Sequence, residues 1–75
     1  MEKEFIEAFR ETIEREGEIL LRDEFRNYDE WDSLAYLSVI AMLDENYEVI
    51  IELEDFRKQI TVGALMNEVF KRSGK

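Results

Sequence analysis

From Ser33 to Tyr47 apolar residues recur at helical spacing without a break, and the run opens at Asp32-Ser33-Leu34, where an acidic, irregular segment gives way to it. Leu34, Leu37, Ile40, Ala41, Leu43 and Tyr47 form one stripe of a helix whose N-cap is Asp32 or Ser33. Ala35, Tyr36, Val39 and Met42 extend the apolar character round its sides, beyond what one buried stripe requires. Such a helix belongs at the centre of its fold. Part of its surplus must pack against other elements, and part can serve as an exposed contact surface. A serine hydroxyl in its first turn faces solvent beside backbone N–H groups that favour a phosphate, so Ser33 stands where covalent modification is feasible.

The flanking segments are expected to supply the packing. Glu2 to Glu16 places Phe5, Ile6, Phe9 and Ile13 on one face, which predicts an amphipathic helix ending at a left-handed cap on Gly17. Its outer acids, Glu7, Glu11 and Glu14, alternate with Lys3, Arg10 and Arg15 and read as a solvated face. Residues 17–31 are too apolar for a free linker and too irregular for a helix, so they are read as a packed loop with a helical turn within Ile19 to Phe25. Trp31 is expected to anchor that loop against the central helix. Glu48-Val49-Ile50-Ile51-Glu52 has strand-forming residues but no partner strand, and is read as an extended connection that closes the core. A short helix over Glu54 to Lys58, anchored by Phe56, precedes a last helix capped by Thr61 and carrying Val62, Leu65, Met66, Val69 and Phe70 on one face. Ser73-Gly74-Lys75 is expected to fray. The fold class that follows is all-α: a small antiparallel four-helix bundle of three main helices and one short helix. A long loop joins helices one and two, and residues 1–75 form a single domain.

Composition narrows the chemistry. No Cys and no His among 75 residues leaves no disulfide, no thiolate metal site and no neutral-pH proton shuttle. The chain is therefore not expected to be an enzyme, and no metal ligands are assigned. Asp29, Glu30 and Asp32 lack the glycine and terminal glutamate of a calcium loop. A net charge of −9 repels nucleic acid and anionic lipid and attracts basic protein surfaces. Without a signal-peptide pattern at Met1 to Phe5 or a membrane-length apolar run, a soluble, cytoplasmic protein is expected, and its small size and self-repulsion favour a monomer.

Two patches give the chain a family resemblance. The first is Asp32-Ser33-Leu34 with the apolar helix that ends in Leu43-Asp44-Glu45-Asn46-Tyr47. The second is Glu54-Asp55-Phe56 followed by Ile60-Thr61-Val62-Gly63-Ala64-Leu65. In this order and spacing they resemble the acyl carrier proteins, small acidic helical domains that hold acyl groups on 4′-phosphopantetheine. The resemblance covers residues 32–65. It implies that Ser33 is the attachment point, that its hydroxyl attacks coenzyme A inside a phosphopantetheinyl transferase, and that Asp32 helps place the transferase's magnesium. Leu34 completes the attachment motif. Without that context, Ser33 would read as a plain N-cap.

Asp44, Glu45 and Glu48 are then the acids expected to dock acyl-loading and acyl-transferring enzymes through basic patches; otherwise they are solvated helix-end charges. Where carriers of the fatty-acid type add acids after the serine, this chain has Ala35, Tyr36 and Ser38. Tyr36 and Met42 are accordingly expected as apolar partner contacts, and the cargo is expected to belong to fatty-acid synthesis or to a specialised acyl or amino-acyl pathway. The glycine-rich approach to the serine found in peptidyl carriers is absent before Asp32. The competing expectation is an unmodified acidic interaction module, with Tyr36, Val39 and Met42 forming a groove for a partner helix.

Overall fold

The computed structural model describes residues 2–74. Among them it contains four α-helices and one 3-10 turn and no strand: α1 (Glu2–Thr12), η1 (Phe25–Asn27), α2 (Ser33–Tyr47), α3 (Leu53–Arg57) and α4 (Val62–Ser73). The central helix is α2, packed against α1 on one side and α4 on another. No described helix is long and apolar enough to cross a membrane.

Helix α1 stops four residues short of the expected Glu16, and Gly17 is not its cap. Glu14 takes the left-handed conformation instead, at φ 57°. Its N–H donates to the Glu11 carbonyl at 3.1 Å and the Arg15 N–H to the Arg10 carbonyl at 3.0 Å, the paired bonds of a Schellman end. A non-glycine residue there costs about 1–2 kcal/mol. The early stop lets Ile13 and Ile19, each 5% exposed, both reach the core, which offsets that cost. Glu48 ends α2 in the same conformation, at φ 55°, and its N–H bonds to the Asp44 carbonyl at 3.0 Å.

Helix α2 is turned differently from the expected stripe. Its buried residues are Ala35, Val39, Met42 and Leu43, with Tyr36, Ile40 and Tyr47 packed partly against the core. Leu34 and Leu37, predicted to be interior, are 71% and 60% exposed, and Ala41 is exposed as well. Because apolar residues surround nearly the whole helix, its own pattern selects no unique face. The selection comes from α1 and α4, whose one-sided apolar stripes dictate what they cover.

Residues 13–32 run across the core. Phe25 is fully buried, and the helical turn falls at Phe25–Asn27, later than expected and sharing only Phe25 with the range Ile19 to Phe25. Trp31 anchors this stretch on rings of α1, η1 and α3. It stacks on Phe9 and on Phe56, each at 6.2 Å between centroids, and meets Phe25 edge-on at 4.8 Å. Arg15 leaves the solvated face assigned to it, reaching Glu30 at 2.8 Å and covering the Tyr28 ring at 3.9 Å. The start of α4 is tied to the same stretch: the Gly63 N–H donates to the Leu21 carbonyl at 2.8 Å, and a Cβ on residue 63 would lie 3.1 Å from that oxygen.

Residues 48–52 form the expected extended connection, but only Val49 and Ile51 close the core; Ile50 turns outward and is 70% exposed, because successive side chains of an extended backbone point to opposite sides. Helix α3 starts at Leu53, one residue early, and buries Phe56. Thr61 caps α4 by accepting the Ala64 N–H at 3.1 Å, and Val62, Leu65, Met66 and Val69 are buried as the spacing predicts. Ser73 is still helical, its hydroxyl donating to the Phe70 carbonyl at 3.0 Å, and Gly74 closes the helix at φ 69°. Lys75, the last residue of the expected frayed end, lies outside the described residues.

Candidate functional site

Asp32 and Ser33 divide two tasks that the sequence left to either. Asp32 is extended, and its Oδ1 accepts the Ala35 N–H at 2.7 Å while its carbonyl accepts the Tyr36 N–H at 3.0 Å. That is a complete N-cap, worth about 1 kcal/mol. Ser33 is thereby the first helical residue. It is exposed, and its hydroxyl makes no hydrogen bond among the described residues. A hydroxyl with no structural duty can be derivatised without breaking a contact of the fold.

Leu34 lies beside it in solvent. Leu34, Leu37 and Ala41, at i, i+3 and i+7, share one face of α2, which continues through Asp44 and Glu45 to Glu48. All six are exposed. The face therefore runs from Ser33 along an apolar strip to an acidic end. Met42 does not belong to it: at 6% exposure it is a core residue, so the expectation that it meets a partner fails on burial. Tyr36 is half-buried, its ring set edge-on against Phe56 at 5.0 Å, and it joins α2 to α3. The groove expected of an interaction module fails for the same reason, because Val39 is fully buried beside Met42.

An open groove of about 350 Å³ begins at Ser33 and passes between α2 and α3, walled by Tyr36, Leu53 and Phe56 and flanked by Arg26 and Arg57. Arg26 is held firmly. It donates to the carbonyls of Gln59 at 2.7 Å and Phe56 at 2.9 Å, closing the C-terminal end of α3, and lies over the Phe25 and Phe56 rings. Burial first, then the charge of Arg57, lowers its affinity for its proton below the ordinary value. Neither arginine was singled out from the sequence. They stand 31 positions apart, one in an irregular segment, and no local spacing links them. On the other side of Ser33 a smaller groove of about 120 Å³ is bordered by Ile13, Leu34, Ala35 and Ser38. A wider groove of about 630 Å³ lies between α1 and residues 18–19, where Ile6 and Ile19 are rimmed by Lys3 and Arg10 and by Glu2, Glu7 and Glu18. Nothing convergent lines it.

Among the described residues no group of three or more carboxylates is placed to hold a metal ion. No protein-family model, curated protein or solved structure matches the chain.

Proposed function

We propose that this chain is an acyl carrier protein, a monomeric and cytoplasmic antiparallel helical bundle whose long connection holds the start of α2 at the surface. Ser33 takes 4′-phosphopantetheine from coenzyme A. The observation that carries the reading is that Asp32 alone caps α2, leaving the Ser33 hydroxyl exposed and uncommitted at the position where the resemblance expects the attachment.

In the loading step Ser33 Oγ bonds to the phosphorus nearer the pantetheine of coenzyme A, the pyrophosphate bond breaks, and adenosine bisphosphate departs. The hydroxyl proton passes to a base of the transferase, so the chain needs no histidine of its own. Asp32 Oδ1 stays on the Ala35 N–H, and its second oxygen would help place the transferase's magnesium. Once attached, the group supplies a terminal thiol that holds acyl or amino-acyl cargo as a thioester. Leu34 and Leu37 offer a small apolar contact, and Asp44, Glu45 and Glu48 steer basic enzyme surfaces, giving fast and salt-sensitive docking. With Met42 and Val39 in the core, the competing interaction module lacks the groove it requires.

The test is direct. The chain is incubated with coenzyme A, magnesium and a broad-specificity phosphopantetheinyl transferase, and its intact mass is measured. One added phosphopantetheine on the wild type, and none on Ser33→Ala, is the expected outcome. An unchanged wild-type mass refutes the proposal.

A further inference from the structure

Arg26 on η1 and Arg57 at the end of α3 bring two positive charges to the groove that opens at Ser33. Arg26 commits two of its five N–H donors to the carbonyls of Gln59 and Phe56. No carboxylate among the described residues pairs with either arginine, whereas Arg15 and Lys58 each meet one and Arg72 meets two. The two charges also repel each other, and one is half-buried. In a chain of net charge −9 this is an arrangement that an anion would relieve.

The same groove carries the complementary problem, since Asp32 and Ser33 line it too. The Asp32 carboxylate is one residue from Ser33, so any phosphate bonded to the Ser33 hydroxyl is placed beside a like charge. Only the two arginines supply positive charge within the groove. We infer that the groove is an oxyanion site in which Arg26 and Arg57 bind the phosphodiester formed on Ser33, with Tyr36, Leu53 and Phe56 as the apolar bed beneath the first part of the arm.

The inference rests on the carrier reading above and adds a direction to it. A phosphodiester keeps one negative charge and two free oxygens, which guanidinium donors match in charge-assisted hydrogen bonds. Because Arg26 also holds the end of α3, binding there couples the arm to α3. The arm then leaves Ser33 along the α2–α3 groove, away from the strip formed by Leu34, Leu37 and Ala41, and that strip stays free for a partner.

The experiment follows the arginine Nε–H resonances of the ¹⁵N-labelled chain before and after loading with the bare arm, with loading verified by intact mass. The resonances of Arg26 and Arg57 are expected to move on loading. Arg57→Gln leaves the α3 contacts of Arg26 in place, and is expected to diminish the movement of Arg26 and to remove any loading-dependent rise in Tm at low salt. Full mass gain with both resonances unmoved overturns the site and leaves the carrier reading standing. No mass gain overturns the carrier reading and the site with it. Movement that appears only after the thiol is charged with a carboxylate-bearing acyl group assigns the arginines to the cargo and overturns the phosphate assignment.

Discussion

Tyr28 donates its phenolic hydrogen to Asp23 Oδ2 at 2.7 Å, and the Leu20 N–H donates to the same oxygen at 3.0 Å. These two bonds fold residues 20–28 onto themselves. The Asp23 carbonyl in turn accepts the Val62 N–H at 2.9 Å, so the connection between α1 and α2 is fastened to the start of α4.

Removing the phenol should loosen that fastening. Tyr28→Phe leaves the carboxylate with one donor fewer and is expected to cost about 1.5 kcal/mol, the lower end of the range for a bond to a charged group because the pair is partly exposed. Urea unfolding at neutral pH measures it. A variant as stable as the wild type would mean that water replaces the phenol without loss.

The same pair sets the response to pH. The phenol first and the Leu20 N–H second hold the Asp23 carboxyl below its ordinary value of 3.8. Its contribution is complete above that value and is lost as pH falls through the lower folded-state value. Tyr28→Phe should therefore move acid unfolding to higher pH. Burial, and then Asp23, push the Tyr28 phenol well above its ordinary 10.0, so its contribution is complete below pH 10 and is lost as pH rises beyond it. Circular dichroism across both limits is the measurement, and an unshifted acid midpoint in the variant contradicts the assignment.

Capping and loading should separate at Asp32. Asp32→Ala removes the bond to the Ala35 N–H and is expected to lower stability by about 1 kcal/mol, whereas Asp32→Asn keeps an acceptor and most of the cap. If the carboxylate serves the transferase, Asp32→Asn loads more slowly than the wild type at nearly unchanged stability. Equal loading rates would confine Asp32 to capping.

Two leucines on α2 should behave oppositely. Leu43 is fully buried, and Leu43→Ala is expected to cost about 3 kcal/mol, a large share of what a domain this small possesses. Leu37 is 60% exposed, and Leu37→Ala should stay within about 0.5 kcal/mol. Its expected effect is slower transfer to a partner enzyme. Unfolding curves for both variants check the turn of α2, and a large loss at Leu37 would mean that the helix presents another face.

Net charge gives a further expectation. At −9, self-repulsion weakens the folded state at low ionic strength, so Tm should rise as sodium chloride is added. The ion pairs of Arg15 and Arg72 are partly exposed and lose little to the same screening. A Tm that stays flat or falls in a salt series would show that the ion pairs outweigh the repulsion.

Where local chemistry was one-sided, the sequence was legible. Thr61 with Val62, Leu65, Met66 and Val69 specifies both the start and the buried face of α4, because a cap and a single stripe leave no alternative. The β-branched run Val49-Ile50-Ile51, with no partner strand, marks an extended connection, whereas the outward turn of Ile50 comes from packing. Gly17 misled because glycine is only the least costly left-handed residue: Glu14 takes that conformation where it lets Ile13 and Ile19 into the core. Met42 misled because its helix is apolar on nearly every side.

Helix identity, the extended link and the cap before Ser33 follow from short-range forces: hydrogen bonds across three or four residues and the spacing of apolar side chains. Which side of α2 faces inward, and the meeting of Arg26 with Arg57 beside Ser33, depend on residues distant in the chain that only packing brings together. The reason is physical. A helix apolar all round has nearly equal local preference for each orientation, so the burial gained against α1 and α4 decides among them, and with that orientation it decides what surrounds the serine.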